Sequence, residues 1–321
     1  MSTAASTAAA VAAATEERTG YLAPTRPRSE FTGLVALVTG AGAKGTGIGN
    51  GRAAAVLLAA AGAAVVCADL VLEDAEGSVD MIEKEGGRAI AVQIDVTSES
   101  DCARAVQLTI ETYGRLDILV NNVGVGGPTG TAVDLELESW AKGLETNVTS
   151  MALMAKHAIP EMLRNALGHE ADERLRPSLW SGRNWRGSIV NMGSVAGLRG
   201  GTAHLLYPTA KGAVVNMTRA MAAHHAPDGI RVNCVCPGML YTPMMYGPGM
   251  SDEAREARKN RSLLKTEGNG WDAGAAIRFL AGDEARWITG TILTVDAGAT
   301  CSTSSDIPMA ASVGGALPKE H

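Results

Sequence analysis

The sequence predicts an α/β fold: one doubly wound parallel sheet with helices on both faces. Three observations predict it. Short apolar, β-rich runs alternate with helical patterns from residue 34 to residue 295. The first run, L-V-A-L-V-T, opens into the glycine turn G-A-G-A-K-G-T-G-I-G and then an Ala/Leu helix. The chemically capable residues fall just past the C-terminal ends of the expected strands, the edge where such sheets hold ligands.

Taken in order, a strand fits residues 34–39, followed by the glycine loop and a helix to about Gly62. The next strand, A-A-V-V-C-A, ends in Asp69, with Leu70 beside it. Asp69 stands twenty residues past Gly49, where a carboxylate binds the ribose 2′-hydroxyl of NAD and repels the 2′-phosphate of NADP. A helix fits 73–86, a strand 88–94 and a helix 99–113. The stretch R-L-D-I-L-V-N-N-V-G gives a strand that runs into a turn at 121–124. Helical pattern resumes near Glu136 and reaches about Leu167, interrupted around Asn147. A strand at 188–192, a helix at 207–226 and the strand G-I-R-V-N-C-V-C follow, the last stopped by Pro237-Gly238. Residues 240–270 read as irregular, a helix fits 271–281, and T-I-L-T-V closes the sheet.

The bulk numbers exclude several classes. The chain has 321 residues, 46% hydrophobic and 19% charged, enough for a sizeable core. The unbroken alternation favours one domain over 31–300, with tails at 1–30 and 301–321. The first basic residue, Arg18, follows the apolar run of the N-terminal tail, against the order of a signal peptide. Net charge is −6 with no basic block, so neither nucleic acid nor an anionic membrane is expected as partner. No apolar run approaches the ~20 residues that cross a bilayer. Five cysteines show no metal-ligand spacing, and no metal is expected. Their odd number suits free thiols in a reducing compartment, so the expected location is cytoplasmic.

The chemistry centres on Ser194, Tyr207 and Lys211. Tyr207 and Lys211 lie four apart, on one face of a helix, and Pro208 suits its first turn. A free tyrosine, with a pKa of ~10, is too weak an acid for proton transfer near neutrality. Lowering it by about 3 units takes roughly 4 kcal/mol of preference for phenolate. One ammonium about 4 Å away, at an effective dielectric of ~20, supplies that much. Lys211 is therefore expected to make Tyr207 a working acid/base, with the Ser194 hydroxyl holding a substrate oxygen beside it. Alone, Tyr-x-x-x-Lys describes many ordinary helices; the rest of the chain gives it weight.

At this point the chain resembles the short-chain dehydrogenase/reductase family over nearly all of 31–300. The resemblance rests on Thr39-Gly40…Gly47-Ile48-Gly49, Asp95-Val96, Asn121-Asn122-Val123-Gly124, Asn147, Ser194…Tyr207-x-x-x-Lys211 and Pro237-Gly238…Thr242. The thirteen-residue step from Ser194 to Tyr207 is similar to that of the 3-oxoacyl-carrier-protein reductase-like branch. The resemblance implies a Rossmann-type fold and a set of roles. Tyr207 is the general acid/base, Lys211 binds the nicotinamide ribose, and Ser194 orients the reacting oxygen. Asn147 holds a water that links Lys211 to solvent. Asp95 and Val96 flank adenine, Asn122 touches the adenine-side ribose, and Leu240 and Thr242 meet the nicotinamide carboxamide.

Two departures stand out. Gly40 and Gly47 are seven apart where the family has four, so three residues, Lys44 among them, are inserted in the loop. Lys44 reads as a solvated loop residue, with a reach to pyrophosphate or 2′-phosphate as the alternative. Residues 168–187 are also longer than usual and carry Trp180, Trp185, Arg174, Arg176, Arg183 and Arg186, a composition that suits a subunit contact or a surface loop.

The expected function is reversible hydride transfer between a secondary alcohol and its ketone, with NAD as cofactor and NADP as the alternative. Val195, His204, Met244 and the region near Gly126 are expected around an apolar substrate, with His204 at a polar rim. A redox-neutral cyclase or lyase, or a non-catalytic nucleotide-binding protein, are the competing readings. The family habit implies a homotetramer or homodimer joined through helices at 149–167 and 207–226, whose Ala- and Met-rich faces suit close packing or an internal core equally.

Overall fold

The computed structural model describes residues 31–167, 185–247 and 249–302. The expected N-terminal tail, nearly all of the C-terminal one, and the stretch with Trp180, Arg174, Arg176 and Arg183 lie outside those residues.

Seven strands form the sheet: β1 (Val35–Thr39), β2 (Ala64–Asp69), β3 (Arg88–Gln93), β4 (Ile118–Asn121), β5 (Gly187–Met192), β6 (Ile230–Pro237) and β7 (Ile292–Val295). Their spatial order is β3-β2-β1-β4-β5-β6-β7, and every neighbouring pair runs parallel. The order reverses between β1 and β4, which opens a crevice beyond their C-terminal ends. Five helices match the predicted pattern closely: α1 (Asn50–Ala60), α2 (Leu72–Lys84), α3 (Glu99–Tyr113), α4 (Leu137–Leu144) and α5 (Ser150–Met162). Then come α6 (Leu206–His225), α7 (Pro243–Tyr246), α8 (Asp252–Lys259) and α9 (Gly270–Ala281). Residues 240–270, expected to be irregular, thus hold two short helices. Both begin on signals legible in the chain: Pro243 is the first residue of α7, and the Ser251 side chain accepts from Ala254 N at 3.2 Å to cap α8.

Alternate residues of each strand serve opposite faces. On β1, Ala36 and Val38 pack with Leu58 of α1 and with Ile277 and Leu280 of α9. Leu37 faces the other way, into a cluster with Val106 of α3 and with Met154, Ala158 and Met162 of α5. Both faces are covered, which is why the strands read as unbroken apolar runs. The Met-rich side of α5, a candidate for subunit contact, is spent on the chain's own core: Met151, Met154 and Met162 are at most 2% exposed.

Trp185 is corrected in the same way. It is buried, its indole N–H donates to Asp283 Oδ1 at 2.7 Å, and the Arg231 guanidinium lies 4.9 Å from its ring centre. A tryptophan satisfied inside its own chain is not free for a partner. Cys234 and Cys236 share a face of β6, and their thiols, 3.7 Å apart, hydrogen-bond without forming a disulfide. Among the described residues no helix is long and apolar enough to cross a membrane.

Candidate active site

The crevice beyond β1 and β4 is a cleft of about 280 Å³. Its wall on the β1 side is the glycine loop and the start of α1, where Gly40, Gly42, Ala43, Gly49, Asn50 and Gly51 line it. The first turn of α1 is left open. Gly49 at the N-cap has no side chain to cap it, and no acidic residue stands in that turn. Free N–H groups at a helix start, with backbone exposed on a glycine wall, make a seat for a phosphate. The Asn50 Oδ1 atom is buried without a protein partner. At the end of β2 the Asp69 carboxylate accepts from Gly42 N at 2.8 Å and from Val71 N at 3.2 Å. The residues present therefore fit a dinucleotide: a diphosphate seat and, past the next strand, a carboxylate.

The inserted loop is not a loose flap. Arg52, alone as a charge in the Ala-rich helix α1, is 1% exposed. Its guanidinium donates to the carbonyls of Ala43 (2.6 Å), Gly45 (2.6 Å), Gly47 (2.9 Å) and Asp74 (2.9 Å), and its Nε donates to Ser78 Oγ (2.9 Å). The insertion bulges outward as Lys44–Thr46, all exposed, while Arg52 holds it from beneath. Gly47 and Ile48, cofactor-loop residues by the family resemblance, do not line the cleft in this structure. Gly47 instead packs on α7, where an added Cβ would stand 2.6 Å from Pro243 Cγ. The register slips because three extra residues must leave the wall somewhere, and they leave after Ala43.

Leu70, Asp95 and Val96 likewise stand outside the cleft lining, beyond the ends of β2 and β3. Leu70 is 62% exposed, and Val96 is buried. The Asp95 carboxylate is engaged locally, accepting from Thr97 N at 2.9 Å and Thr97 Oγ1 at 2.7 Å. Asn122 does line the cleft, and its Nδ2 donates to Gly40 O at 2.9 Å, tying the ends of β1 and β4 together.

Ser194, Tyr207 and Lys211 converge on the cleft's other wall, with Met192, Gly193, Gly238, Leu240, Thr242 and Met244. Ser194 follows β5 and Tyr207 opens α6. Lys211, one turn later, is 2% exposed; its Nζ donates to Met192 O at 2.9 Å and lies 5.8 Å from the centre of the Tyr207 ring. Gly124 gives it room: a Cβ there would be 2.8 Å from Lys211 Nζ and 2.9 Å from Asn147 Oδ1, so both side chains reach one spot.

Asn147 is delivered by a π turn (Glu145–Thr149) between α4 and α5. Its Oδ1 accepts from Val125 N at 3.1 Å, and its Nδ2 donates to Gly143 O at 2.9 Å and Val125 O at 3.0 Å. Val195 is buried and is not among the residues that line the cleft. The His204 Nδ1 is 3.0 Å from Pro128 O and its ring lies next to Gly126, and neither His204 nor Gly126 lines the cleft.

The electrostatics differ from the sequence-based expectation. Burial pushes the Tyr207 phenol above its ordinary pKa, opposed by hydrogen bonding to Ser194. Burial also lowers Lys211, from the ordinary 10.5 to about 8. Burial therefore outweighs what the surroundings of Tyr207 do for its phenolate in the protein alone. Arg52 and Arg258, the latter lining the cleft from α8, were not singled out from sequence. Arg52 had a signal, a lone charge in an apolar helix. Arg258 had none, lying in the uniformly charged stretch D-E-A-R-E-A-R-K.

A glycine wall at an open helix start, a tyrosine–lysine pair and a serine on one crevice define a class, and the comparisons agree. The family model for short chain dehydrogenases matches residues 34–248. The chain belongs to the short-chain dehydrogenase/reductase family and is an enzyme of that class. It is 35% identical to a meso-2,3-butanediol dehydrogenase of Serratia marcescens, over 85% of this chain and 96% of that one. It is 30% identical to the 3-oxoacyl-acyl-carrier-protein reductase FabG of Thermotoga maritima, over 83% of this chain and 97% of that one. The solved structure of a 7α-hydroxysteroid dehydrogenase with NADH and 7-oxo glycochenodeoxycholic acid superposes with a TM-score of 0.73. It is 30% identical and covers 84% of this chain and 95% of that one.

Proposed function

We propose that this enzyme interconverts a secondary alcohol and its ketone with NAD, Tyr207 moving the proton. The observation that carries the reading is that Ser194, Tyr207 and Lys211 line the same cleft as the open start of α1. Gly42, Ala43, Gly49 and Asn50 would hold the diphosphate, Asp69 and Asn122 the adenine-side ribose, and Lys211 and Thr242 the nicotinamide end. NAD, when bound, would supply the hydride acceptor and the positive charge of its oxidised ring. Ser194 would orient the hydroxyl oxygen, and Tyr207, having given its own proton up by way of Lys211, would take the alcohol proton as the phenolate. Lys211 passes a proton between Tyr207 and the Asn147 side of Gly124. Met244, 61% exposed, and Met245 give the substrate an apolar flank. Replacing Tyr207 by Phe is expected to cut turnover at least about a thousandfold while leaving NADH binding intact. Wild-type turnover in that variant would remove the proposal.

Preference for NAD over NADP follows from Asp69, a carboxylate placed where a 2′-phosphate would have to sit. The ratio of kcat/KM for the two dinucleotides tests it. Residues 31–300 are read as one domain, active in a reducing compartment such as the cytoplasm, a setting that suits five free cysteines. A homodimer or homotetramer remains the expected assembly. Light scattering tests it.

A further inference from the structure

Arg258 is a cation in the cleft wall that the reaction described above does not use. It lies near the end of α8 and lines the cleft beside Leu240, Thr242, Met244 and Met245. It is half-buried, and burial holds its guanidinium below the ordinary pKa. Its hydrogen bond within the protein is a long one, to Leu240 O at 3.3 Å. The carboxylate that acts on it electrostatically is Glu267, yet the Arg255 fork takes both Glu267 oxygens, at 2.6 and 2.5 Å. Arg261 adds a second positive charge that works against it. Most of the donor fork is therefore unspent on a half-buried side chain, and no carboxylate among the described residues pairs with it. A partly desolvated cation is costly to keep unless something negative meets it, and the planar fork matches a pair of anionic oxygens.

We propose that Arg258 is an anion-recognition residue of the cleft, binding a carboxylate or phosphate group of a ligand that reacts there. The proposal rests on the cleft being the hydride-transfer site. Two ligands present this chemistry: the diphosphate of the dinucleotide and an anionic substituent on the alcohol or ketone. In the second case, the methionines beside Arg258 fit a substrate with an apolar body and a negative end.

The test uses the full chain and the variants Arg258→Gln and Arg258→Lys, with thermal melts to confirm folding. NADH affinity is read by fluorescence. Preference is read as the kcat/KM ratio across a matched pair, 3-hydroxybutyrate against 2-butanol, with longer homologues of each. Loss of a charge-assisted pair is expected to cost about ten- to a hundredfold. If the diphosphate is the source, Arg258→Gln weakens NADH by that factor. If the substrate is the source, the NADH affinity holds and the preference for the carboxylated member falls by that factor. Arg258→Lys recovers part of either loss. NADH affinity and preference ratio both within about twofold of wild type overturn the proposal, whatever preference the wild type shows. A wild-type chain that binds NADH but oxidises no alcohol sinks the proposed function instead. The NADH arm then decides Arg258 alone, and unchanged affinity there overturns it.

Discussion

Lys211 is the residue on which sequence reasoning and structure diverge most usefully. A spacing of four made it a neighbour of Tyr207, and that neighbourhood holds. Spacing could not reveal that the ammonium would be 2% exposed, with its own pKa drawn down to about 8. The sign of the stability effect follows. The folded pKa lies below the ordinary 10.5, so the unfolded chain binds more protons between about 8 and 10.5. This group's contribution to stability therefore rises with pH through that window, and below it the full cost of a buried charge is present.

Lys211→Met is expected to stabilise the fold by about 1–3 kcal/mol at pH 7, raising Tm by several degrees, while abolishing turnover. Calorimetry and an assay on one preparation check both halves. Ketone reduction, which needs the proton-rich pair, should fall as pH rises through about 8, the Lys211 value. A pH profile of kcat/KM flat from 7 to about 9.5 would contradict this. Gly124→Ala is the companion prediction. Its methyl would stand 2.8 Å from Lys211 Nζ, so turnover should drop by about tenfold or more.

At the scale of elements, the decisive piece is the start of α1 with the loop before it. The glycines announced the loop, and the run of alanines announced the helix. The path of the insertion was not legible, because it is fixed by Arg52 reaching three loop carbonyls from within the helix. Arg52→Met would leave those carbonyls unpaired. The expected loss is on the order of 3 kcal/mol in stability, with NADH binding weakened about tenfold or more. Unchanged denaturant midpoint and unchanged NADH affinity together would refute the staple. The π turn at 145–149 makes the same point: the sequence showed a helix interrupted near Asn147, but only the packed helix shows that the interruption is one widened turn. In residues 240–270 the two short helices that start at Pro243 and after Ser251 fall below the length at which periodicity speaks.

For the whole molecule, the strand order puts the crevice between β1 and β4, and every wall of the cleft comes from a segment leaving a strand end. A ligand there bridges both halves of the sheet and should stabilise the fold as a unit. NADH at about 100 times its Kd is expected to add about 2.7 kcal/mol, or roughly 5–10 °C in Tm. On the proposed role of Asp69, NADPH at the same concentration should add much less. Equal shifts in thermal melts would contradict the reading of Asp69.

The sequence by itself determined the alternation of elements, the edge of the sheet that carries chemistry, and the Ser194, Tyr207 and Lys211 set. These depend on period, composition and near spacing, which are local properties of a chain. Tertiary structure alone decided which groups lost their water, which carbonyls Arg52 would hold, that Trp185 turns inward to Asp283, and that Arg258 faces the cleft with no carboxylate paired to it among the described residues. Desolvation and long-range pairing depend on segments that come together only when the sheet has formed, so no window of sequence contains them.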